Sequence, residues 1–165
     1  MRIAWDLDGV LRELNIYLQK KYNIPYPKKW GWEHEGKNIF DWAKQDNYEI
    51  CFKAPPTEYV EIYRIFTKGS EIWTCQPELW RKNTLKWIKK YLGNCKVKFL
   101  TTEEKREELD KNTDCLLVED NPNFKNYDRI LLIDRPYNRR IKNVVRIKNV
   151  SDFANILKTN INTVV

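Results

Sequence analysis

This 165-residue sequence has no long apolar run, no closely spaced cysteine pair and only one histidine, His34. Since a transmembrane helix needs roughly 18 or more apolar residues, we expect no membrane partner. The four cysteines stand at least 20 positions apart, which argues against a disulfide framework and against a zinc site. Cys75, Cys95 and Cys115 lie in or beside apolar segments, so we expect buried, reduced thiols. The acidic motif begins too close to Met1 for a signal peptide, and we expect a soluble, cytoplasmic protein.

The charge balance is positive, since 30 Lys and Arg residues against 23 Asp and Glu residues give a formal net charge of +7. Such an excess attracts phosphate-bearing partners, whether these are nucleotides or nucleic acids. The basic residues are spread along the chain rather than gathered in one tail, so the charge alone does not choose the substrate. The length corresponds to about one domain with a small insertion at most.

Short apolar or β-branched runs alternate with helical patterns, which is typical of parallel β-α-β units. Strands are predicted over residues 2–5, 71–74, 97–100, 115–118, 130–133 and 144–147. The clearest helix is predicted over 77–92, with Pro77 at its start and Gly93 after its end. A modest helix is predicted to follow Ser151, which would be its N-cap. The last few residues are expected to fray. We therefore expect an α/β fold with a parallel sheet.

Residues 17–66 interrupt this alternation, because about 65 residues separate the first two predicted strands. Helical segments are predicted here over 12–22, 39–47 and 57–68. The interval is rich in aromatic residues, namely Trp30, Trp32, Phe40, Trp42, Tyr48 and Phe52. We interpret 17–66 as a small helical cap, and 1–16 with 67–165 as the core domain. The tryptophans are assigned to packing rather than to ligand contact, because burial is the commoner use of such side chains.

Two pairs of acidic residues follow apolar runs. Asp6 and Asp8, with Gly9 behind them, end the first predicted strand, and Glu119 and Asp120 end the fourth. In open parallel sheets, ligands bind at the carboxyl ends of the strands. Carboxylates, together with water and phosphate oxygens, are the ligands of Mg²⁺, and this cation lets a carboxylate approach the phosphorus of a doubly negative phosphate monoester. The two strand ends therefore predict a metal or phosphoryl-transfer site.

Residues 6–11, Asp-Leu-Asp-Gly-Val-Leu, resemble the first motif of the haloacid-dehalogenase-like (HAD) phosphatase superfamily, Asp-x-Asp-Gly-Val/Thr-Leu. The second motif, a strand ending in Ser or Thr, is similar to 71–74, and the fourth, an acidic pair, is similar to 119–120. Within the superfamily the chain most resembles the 5'(3')-deoxyribonucleotidases. The strings that support this are Thr-Cys-Gln-Pro at 74–77, Leu-Thr-Thr-Glu-Glu-Lys at 100–105, Leu-Val-Glu-Asp-Asn-Pro at 117–122 and Ile-Asp-Arg-Pro-Tyr-Asn-Arg at 133–139.

This resemblance implies a three-layer Rossmann-like core with a parallel sheet and a small helical cap inserted after the first strand. It also implies that Asp6 is the nucleophile and that Asp8 is the general acid and then the general base. Thr74 and Lys105 would hold the phosphate. Magnesium would be bound by the Asp6 carboxylate, the Asp8 backbone carbonyl, Glu119 and Asp120.

The chain departs from the superfamily pattern at Glu119, which stands where an aspartate is usual and has a longer side chain. The third motif of the superfamily, a lysine ahead of the acidic strand, has two candidates here, since Lys105 precedes Glu119 by 14 positions and Lys111 precedes it by 8. Lys105 is favoured because it follows the Leu-Thr string.

The expected function is magnesium-dependent hydrolysis of (deoxy)nucleoside monophosphates through an aspartyl-phosphate intermediate. Three alternatives stay open: a phosphatase for other small phosphoesters, a phosphatase for 3'-phosphate ends of nucleic acid, and a basic nucleic-acid-binding domain with a vestigial site. A small phosphomonoester is the favoured partner, and nucleic acid is the less favoured one. The 5' or 3' position of the phosphate, the oligomeric state and the cap aromatics that meet the substrate are left open.

Overall fold

The computed structural model describes residues 2–66, 68 and 70–162, and within them six strands form one all-parallel sheet. The strands are β1 (Arg2–Trp5), β2 (Ser70–Thr74), β3 (Lys96–Phe99), β4 (Cys115–Glu119), β5 (Ile130–Ile133) and β6 (Val145–Ile147). They pair in the order β3-β2-β1-β4-β5-β6. Every predicted strand occurs with bounds shifted by no more than one residue, so the prediction of an α/β fold with a parallel sheet is confirmed. The strand order is compatible with a Rossmann-like fold.

Helices occupy most of the connections between the strands. They are α1 (Leu14–Tyr22), α2 (Ile39–Gln45), α3 (Ile50–Lys53), α4 (Tyr59–Ile65), α5 (Glu78–Tyr91), α6 (Thr102–Lys111) and α7 (Val150–Asn162). Pro77 precedes α5 and Gly93, with φ +79°, follows it, as predicted. The sequence pattern missed α3, whose four residues are too few to show a helical period. None of the helices in the described part of the chain is both long and apolar enough to traverse a bilayer.

The start of α7 differs from the prediction. The helix begins at Val150, so Ser151 lies inside it and is not its N-cap. The side chain of Asn149 accepts a hydrogen bond from the backbone N–H of Asp152 at 3.0 Å, which satisfies a free amide of the first turn. The predicted fraying of the chain end concerns residues 163–165, outside the described residues.

Both faces of the sheet are buried, because successive residues of a strand point to opposite sides. Trp5, Ile72 and Val118 contribute to a cluster on one face with residues of α4, α5 and α7. Ala4, Trp73 and Leu117 contribute to a second cluster with Leu109 of α6 and Phe124. The near-continuous apolar runs of the sequence therefore reflect strands that are covered on two sides.

The segment between β1 and β2 packs in two places. Residues of α1, α2 and α3, including Leu18, Trp42 and Ile50, form a cluster of their own that also takes in Trp80 of α5. The buried face of α4 instead joins the sheet, where Tyr63 meets the edge of Trp5 with ring centroids 5.8 Å apart. The division into a cap over 17–66 and a core domain stays a prediction.

All four cysteines are free. Cys51 and Cys115 are buried and Cys95 is partly buried, but Cys75 is exposed, so the expectation of a buried thiol is wrong there. Cys75 comes directly after the end of β2, where the chain leaves the sheet for the loop before α5.

The sheet brings the two acidic strand ends together. β1 lies between β2 and β4. After β1 the chain adds β2 and β3 on one side of it, and then crosses to the other side to add β4, β5 and β6. Trp5 is in register with Val118, and the N–H of Asp6 donates to the carbonyl of Val118 at 2.8 Å. Asp6 therefore lies beside Glu119 at the point of reversal, where ligands bind in open α/β sheets.

Candidate active site

The loop after β1 is a tight turn built around Gly9. The N–H groups of Leu11 and Arg12 donate to the carbonyl of Leu7, and the N–H of Gly9 donates to the carbonyl of Arg12. Gly9 has φ +84°, and a Cβ atom there would lie 1.8 Å from Oδ2 of Asp120. Any other residue would therefore strain the backbone and displace an acidic side chain of the site.

Three carboxylates meet at the carboxyl edge of β1 and β4. Carboxylate oxygens of Asp6, Glu119 and Asp120 all lie within 4.8 Å of one another, and we call these residues the acidic triad. Their exposed fractions are 6%, 2% and 3%. The longer side chain of Glu119 thus still reaches the cluster, and the sequence prediction that the two strand ends converge agrees with the geometry.

Lys105, rather than Lys111, reaches the acidic triad. Its Nζ donates to Oδ1 of Asp6 at 2.5 Å and lies 3.4 Å from Oε2 of Glu119. Lys105 is in the first turn of α6, which starts at the N-cap Thr101. Lys111 ends the same helix and pairs with Glu107 at 3.6 Å on the surface. Lys105 shares the buried face of α6 with Leu109, and Lys111 lies outside that face.

The triad has an excess of buried negative charge, because one lysine does not neutralise three carboxylates. Burial raises the pKa values of Asp6 and Glu119, although Lys105 opposes the shift. Burial, with Asp6 nearby, raises the pKa of Asp120 to about 8. A hard divalent cation would supply the missing positive charge, and carboxylate oxygens are the donors that such a cation prefers. The residues present therefore fit a metal ion.

The 3₁₀ turn Pro136–Asn138 contacts Asp120 through two hydrogen bonds. The hydroxyl of Tyr137 donates to Oδ2 of Asp120, and Nδ2 of Asn138 donates to its backbone carbonyl at 2.8 Å. The same amide also donates to the carbonyl of Ile133 at the end of β5. Partners of this kind orient a carboxylate for a metal. The string at 133–139 supported the family resemblance, but the contact with Asp120 was not predicted.

The carboxylate of Asp8 is directed to other partners than the triad. Its Oδ1 accepts from Nε of Arg12 at 2.6 Å, and its Oδ2 accepts from Nε2 of Gln76 at 2.5 Å. The side chain is 22% exposed and borders the same pocket as the triad. The backbone carbonyl of Asp8 stays a predicted metal ligand. Sequence reasoning missed Arg12 and Gln76, although a basic residue four positions after Asp8 was a usable signal.

A pocket of about 480 Å³ lies over the triad. Thr74, at the end of β2, borders it together with Asp6, Asp8 and Lys105, so the predicted phosphate-binding residues meet in one place. Five aromatic side chains also line the pocket, and we call them the aromatic wall: Trp30, Trp32, Phe40, Trp80 and Tyr137. Such a combination of apolar wall and few polar groups is usual for small-molecule sites.

The aromatic wall contains residues that were expected to be packed in the core. Trp30 is 46% exposed and Phe40 is 53% exposed, so for Trp30 the assignment to packing is wrong. The ring of Trp30 lies 5.6 Å from that of Tyr137, and the ring of Phe40 lies 5.4 Å from that of Trp80. Trp42, in contrast, is buried as predicted. The exposed rings therefore offer apolar surface to a ligand in the pocket.

No model of a known protein family matches this chain, and no curated protein matches it. The case for a function therefore depends on the residues of the site.

Proposed function

We propose that this protein is a magnesium-dependent phosphomonoesterase of the HAD superfamily that hydrolyses (deoxy)nucleoside monophosphates, as the resemblance to the 5'(3')-deoxyribonucleotidases implies. The observation that carries the proposal is the meeting of the acidic triad with Lys105 at the reversal point of the sheet. A carboxylate beside a lysine and a cation site has the charges that phosphoryl transfer needs.

The metal part of the proposal depends on the donor set. Mg²⁺ would be held by the three triad carboxylates and the backbone carbonyl of Asp8. When bound, it would neutralise charge on the phosphoryl oxygens. Lys105 adds a fixed positive charge, because the surrounding carboxylates raise its pKa against the opposing effect of burial. Thr74 would add a hydroxyl donor to the phosphate.

In the first proposed step, a carboxylate oxygen of Asp6 attacks phosphorus and the ester P–O bond breaks. Asp8 gives its proton to the departing alkoxide, which leaves as the nucleoside. In the second step, Asp8 takes a proton from water, the water oxygen attacks phosphorus, and the bond from phosphorus to Asp6 breaks. Inorganic phosphate leaves and both aspartates return to their starting states.

The substrate part of the proposal is supported by the aromatic wall. A planar base would stack on a ring such as Trp30 or Phe40 while the phosphate lies at the triad. The pocket volume of about 480 Å³ suits a mononucleotide-sized ligand.

A second candidate is removal of 3'-phosphate ends from nucleic acid. The net charge of +7 and the half-exposed Trp30 at the pocket favour it. Salt separates the two candidates, because polynucleotide binding through several phosphates weakens steeply with added salt. Hydrolysis of a mononucleotide should change little under the same conditions.

The test is a panel of phosphomonoesters assayed with and without Mg²⁺. We expect phosphate release from deoxynucleoside monophosphates only with the metal, and little from sugar phosphates. Lys111→Ala is the matched control for Lys105→Ala, since only Lys105 contacts the triad. Faster hydrolysis of sugar phosphates than of nucleotides would contradict the proposed substrate class. Oligonucleotide binding without hydrolysis of any ester would contradict the proposal that the protein is an enzyme.

A further inference from the structure

Asp8 closes a ring of hydrogen bonds with three side chains that have no part in the mechanism above, those of Arg12, Thr84 and Gln76. Arg12 donates through Nε to Asp8 at 2.6 Å and through Nη1 to Oγ1 of Thr84 at 3.1 Å. Thr84 donates to Oε1 of Gln76 at 2.6 Å, and Nε2 of Gln76 donates to Asp8 at 2.5 Å. The ring joins residues as much as 72 positions apart in sequence.

The direction of each bond follows from the donor and acceptor capacity of the groups. Arginine has donors only, so the oxygen of Thr84 accepts from Arg12. The single hydroxyl hydrogen of Thr84 is then free to donate to Gln76. This bond requires the amide oxygen of Gln76 to face Thr84, and its NH₂ group therefore faces Asp8. The hydroxyl of Thr84 thus determines how Gln76 is presented to Asp8.

Arg12 connects the ring to α3 and α5. Its side chain has no exposed surface, and its Nη1 also donates to the backbone carbonyl of Cys51 in α3. The guanidinium lies 5.7 Å from the centre of the Trp87 ring, one turn along α5 from Thr84. A planar guanidinium group that makes several contacts keeps its orientation better than the ammonium group of a lysine would.

From this geometry we infer that Arg12, Gln76 and Thr84 are positioning residues, which hold the carboxyl group of Asp8 in the orientation in which its protonated form gives a proton to the leaving alkoxide. The inference rests on the proposed function. Each oxygen of Asp8 accepts one bond from the ring and keeps a further lone pair, and Asp8 borders the pocket. The proton leaves with the alcohol and is regained from water, so the ring itself is unchanged after each turnover.

The choice of substrate makes this inference testable. p-Nitrophenyl phosphate releases a stabilised phenolate that needs little protonation, whereas a deoxynucleoside monophosphate releases an alkoxide that needs a proton. The ratio kcat/KM covers all steps up to cleavage of the ester P–O bond. Loss of Asp8 positioning should therefore lower kcat/KM for the nucleotide much more than for the aryl phosphate.

Thr84→Val is the decisive variant, because Thr84 is fully buried and does not border the pocket. Valine keeps the shape and removes the hydroxyl that orients Gln76. We expect kcat/KM for the nucleotide to fall about 10- to 100-fold, since a misplaced acid loses much of its contribution, and to change less than about threefold for the aryl phosphate. Thr84→Ser keeps the hydroxyl and should restore the nucleotide rate.

Equal losses on both substrates, no loss on either, or a Thr84→Ser variant as impaired as Thr84→Val would each overturn the inference, because the hydroxyl would then not act through Asp8. If Thr84→Val does not fold, Gln76→Met removes the donor to Asp8 directly and should give the same selective loss. A wild-type protein that hydrolyses neither substrate with Mg²⁺ overturns the proposed function and the inference together. An active wild type without leaving-group selectivity in the variants overturns the inference alone.

Discussion

The two ends of the parallel sheet differ in how far nearby cations neutralise their buried carboxylates. Near the start of the strands, the carboxylate of Glu71 is surrounded by cations. Its partners are Arg2 at 2.7 Å, Lys96 at 2.9 Å and Lys98 at 3.6 Å. Where β1 and β4 end, the three carboxylates of the acidic triad share the ammonium group of Lys105. The same sheet thus has one end that satisfies its charges internally and another that needs a further cation.

The pKa values follow this difference. Burial by itself raises the pKa of Glu71, but hydrogen bonds from Trp73, Lys96 and Arg2 outweigh it and lower the pKa to about 2. In the triad, burial dominates and the pKa of Asp120 rises to about 8. The ion pairs of Glu71 stabilise the folded state, whereas the buried carboxylates of the acidic triad destabilise it. Residues that cost stability without a structural benefit are typical of functional sites.

The largest effect is expected from Asp6→Asn. The amide is a poor nucleophile, so kcat for deoxynucleoside monophosphates should fall by about 10³-fold or more. The same change removes one of the mutually repelling buried charges, so the thermal midpoint of the metal-free protein should stay equal or rise. Phosphate-release kinetics and thermal melts on one preparation test both parts. A folded variant with near-normal turnover would exclude Asp6 as the nucleophile.

Lys105→Met increases the excess of negative charge at the acidic triad, because it leaves three buried carboxylates without their lysine. Removal of one partner from a buried ion pair typically costs about 3–5 kcal/mol, and we expect a loss of unfolding free energy on that order. Urea unfolding measures this loss. Lys111→Ala is the control and should change the unfolding free energy by less than about 0.5 kcal/mol, because its pair is exposed. Equal effects of the two substitutions would contradict the assignment of Lys105 to the triad.

Bound Mg²⁺ should neutralise the excess negative charge of the acidic triad and so stabilise the folded protein. At a concentration 100 times its dissociation constant, a ligand of the folded state stabilises it by about 2.7 kcal/mol, and the thermal midpoint should rise accordingly. Asp120→Asn should reduce this rise, and Glu71→Gln, at the other end of the sheet, should not. A midpoint that does not respond to Mg²⁺ would show that the triad does not bind the ion.

Metal-free protein should lose stability as pH rises. Asp120 has a folded-state pKa of about 8 against an ordinary value of 3.8, so the folded state binds more protons between these values. The unfolding free energy therefore falls from about pH 4 to pH 8, because the carboxyl ionises in the unfolded chain but stays protonated in the folded protein until about pH 8. Urea unfolding across this range should show the decline, and Asp120→Asn should flatten it. Saturating Mg²⁺ should also flatten it, because the ion favours the ionised form.

The smallest effect is expected from Glu71→Gln. The carboxylate has a folded-state pKa of about 2 against an ordinary value of 4.5, so its stabilisation is present above pH 4.5 and is lost as pH falls through about 2. The variant should lose less than about 1 kcal/mol of unfolding free energy at neutral pH, and its stability should depend less on pH in the acid range. Its kcat should equal that of the wild type, since Glu71 lies at the opposite end of the strands. Acid unfolding curves and phosphate-release assays measure both.

Local patterns were enough for the sheet and for three carboxylates. The apolar runs before Asp6 and Glu119 identify strands because a buried strand needs apolar residues on both faces. Their acidic ends identify the carboxyl edge, and the parallel order brings them together. Local patterns do not choose between Lys105 and Lys111, since both lie on α6 and the face of the helix decides which one is buried. The family resemblance at the Leu-Thr string favoured Lys105, which is the lysine that contacts Asp6.

The ring around Asp8 was not predictable for a related reason. Arg12 is close to Asp8 in sequence, but Gln76 and Thr84 are 68 and 72 positions from their ring partners. No spacing rule links such residues, because hydrogen bonds depend on separation in space. Trp30 shows the same limit, since its apolar ring gave no sign that it would border a pocket.

The sequence by itself determined the alternation of strands and helices and the acidic ends of β1 and β4, because these depend on neighbours along the chain. Only the tertiary structure decided that Lys105 meets Asp6 across 99 positions, that Asp8 turns to Arg12 and Gln76, and that charge is balanced at one end of the sheet and unbalanced at the other. The physical reason is that electrostatic and hydrogen-bond energies depend on distances of a few ångströms, which folding alone creates.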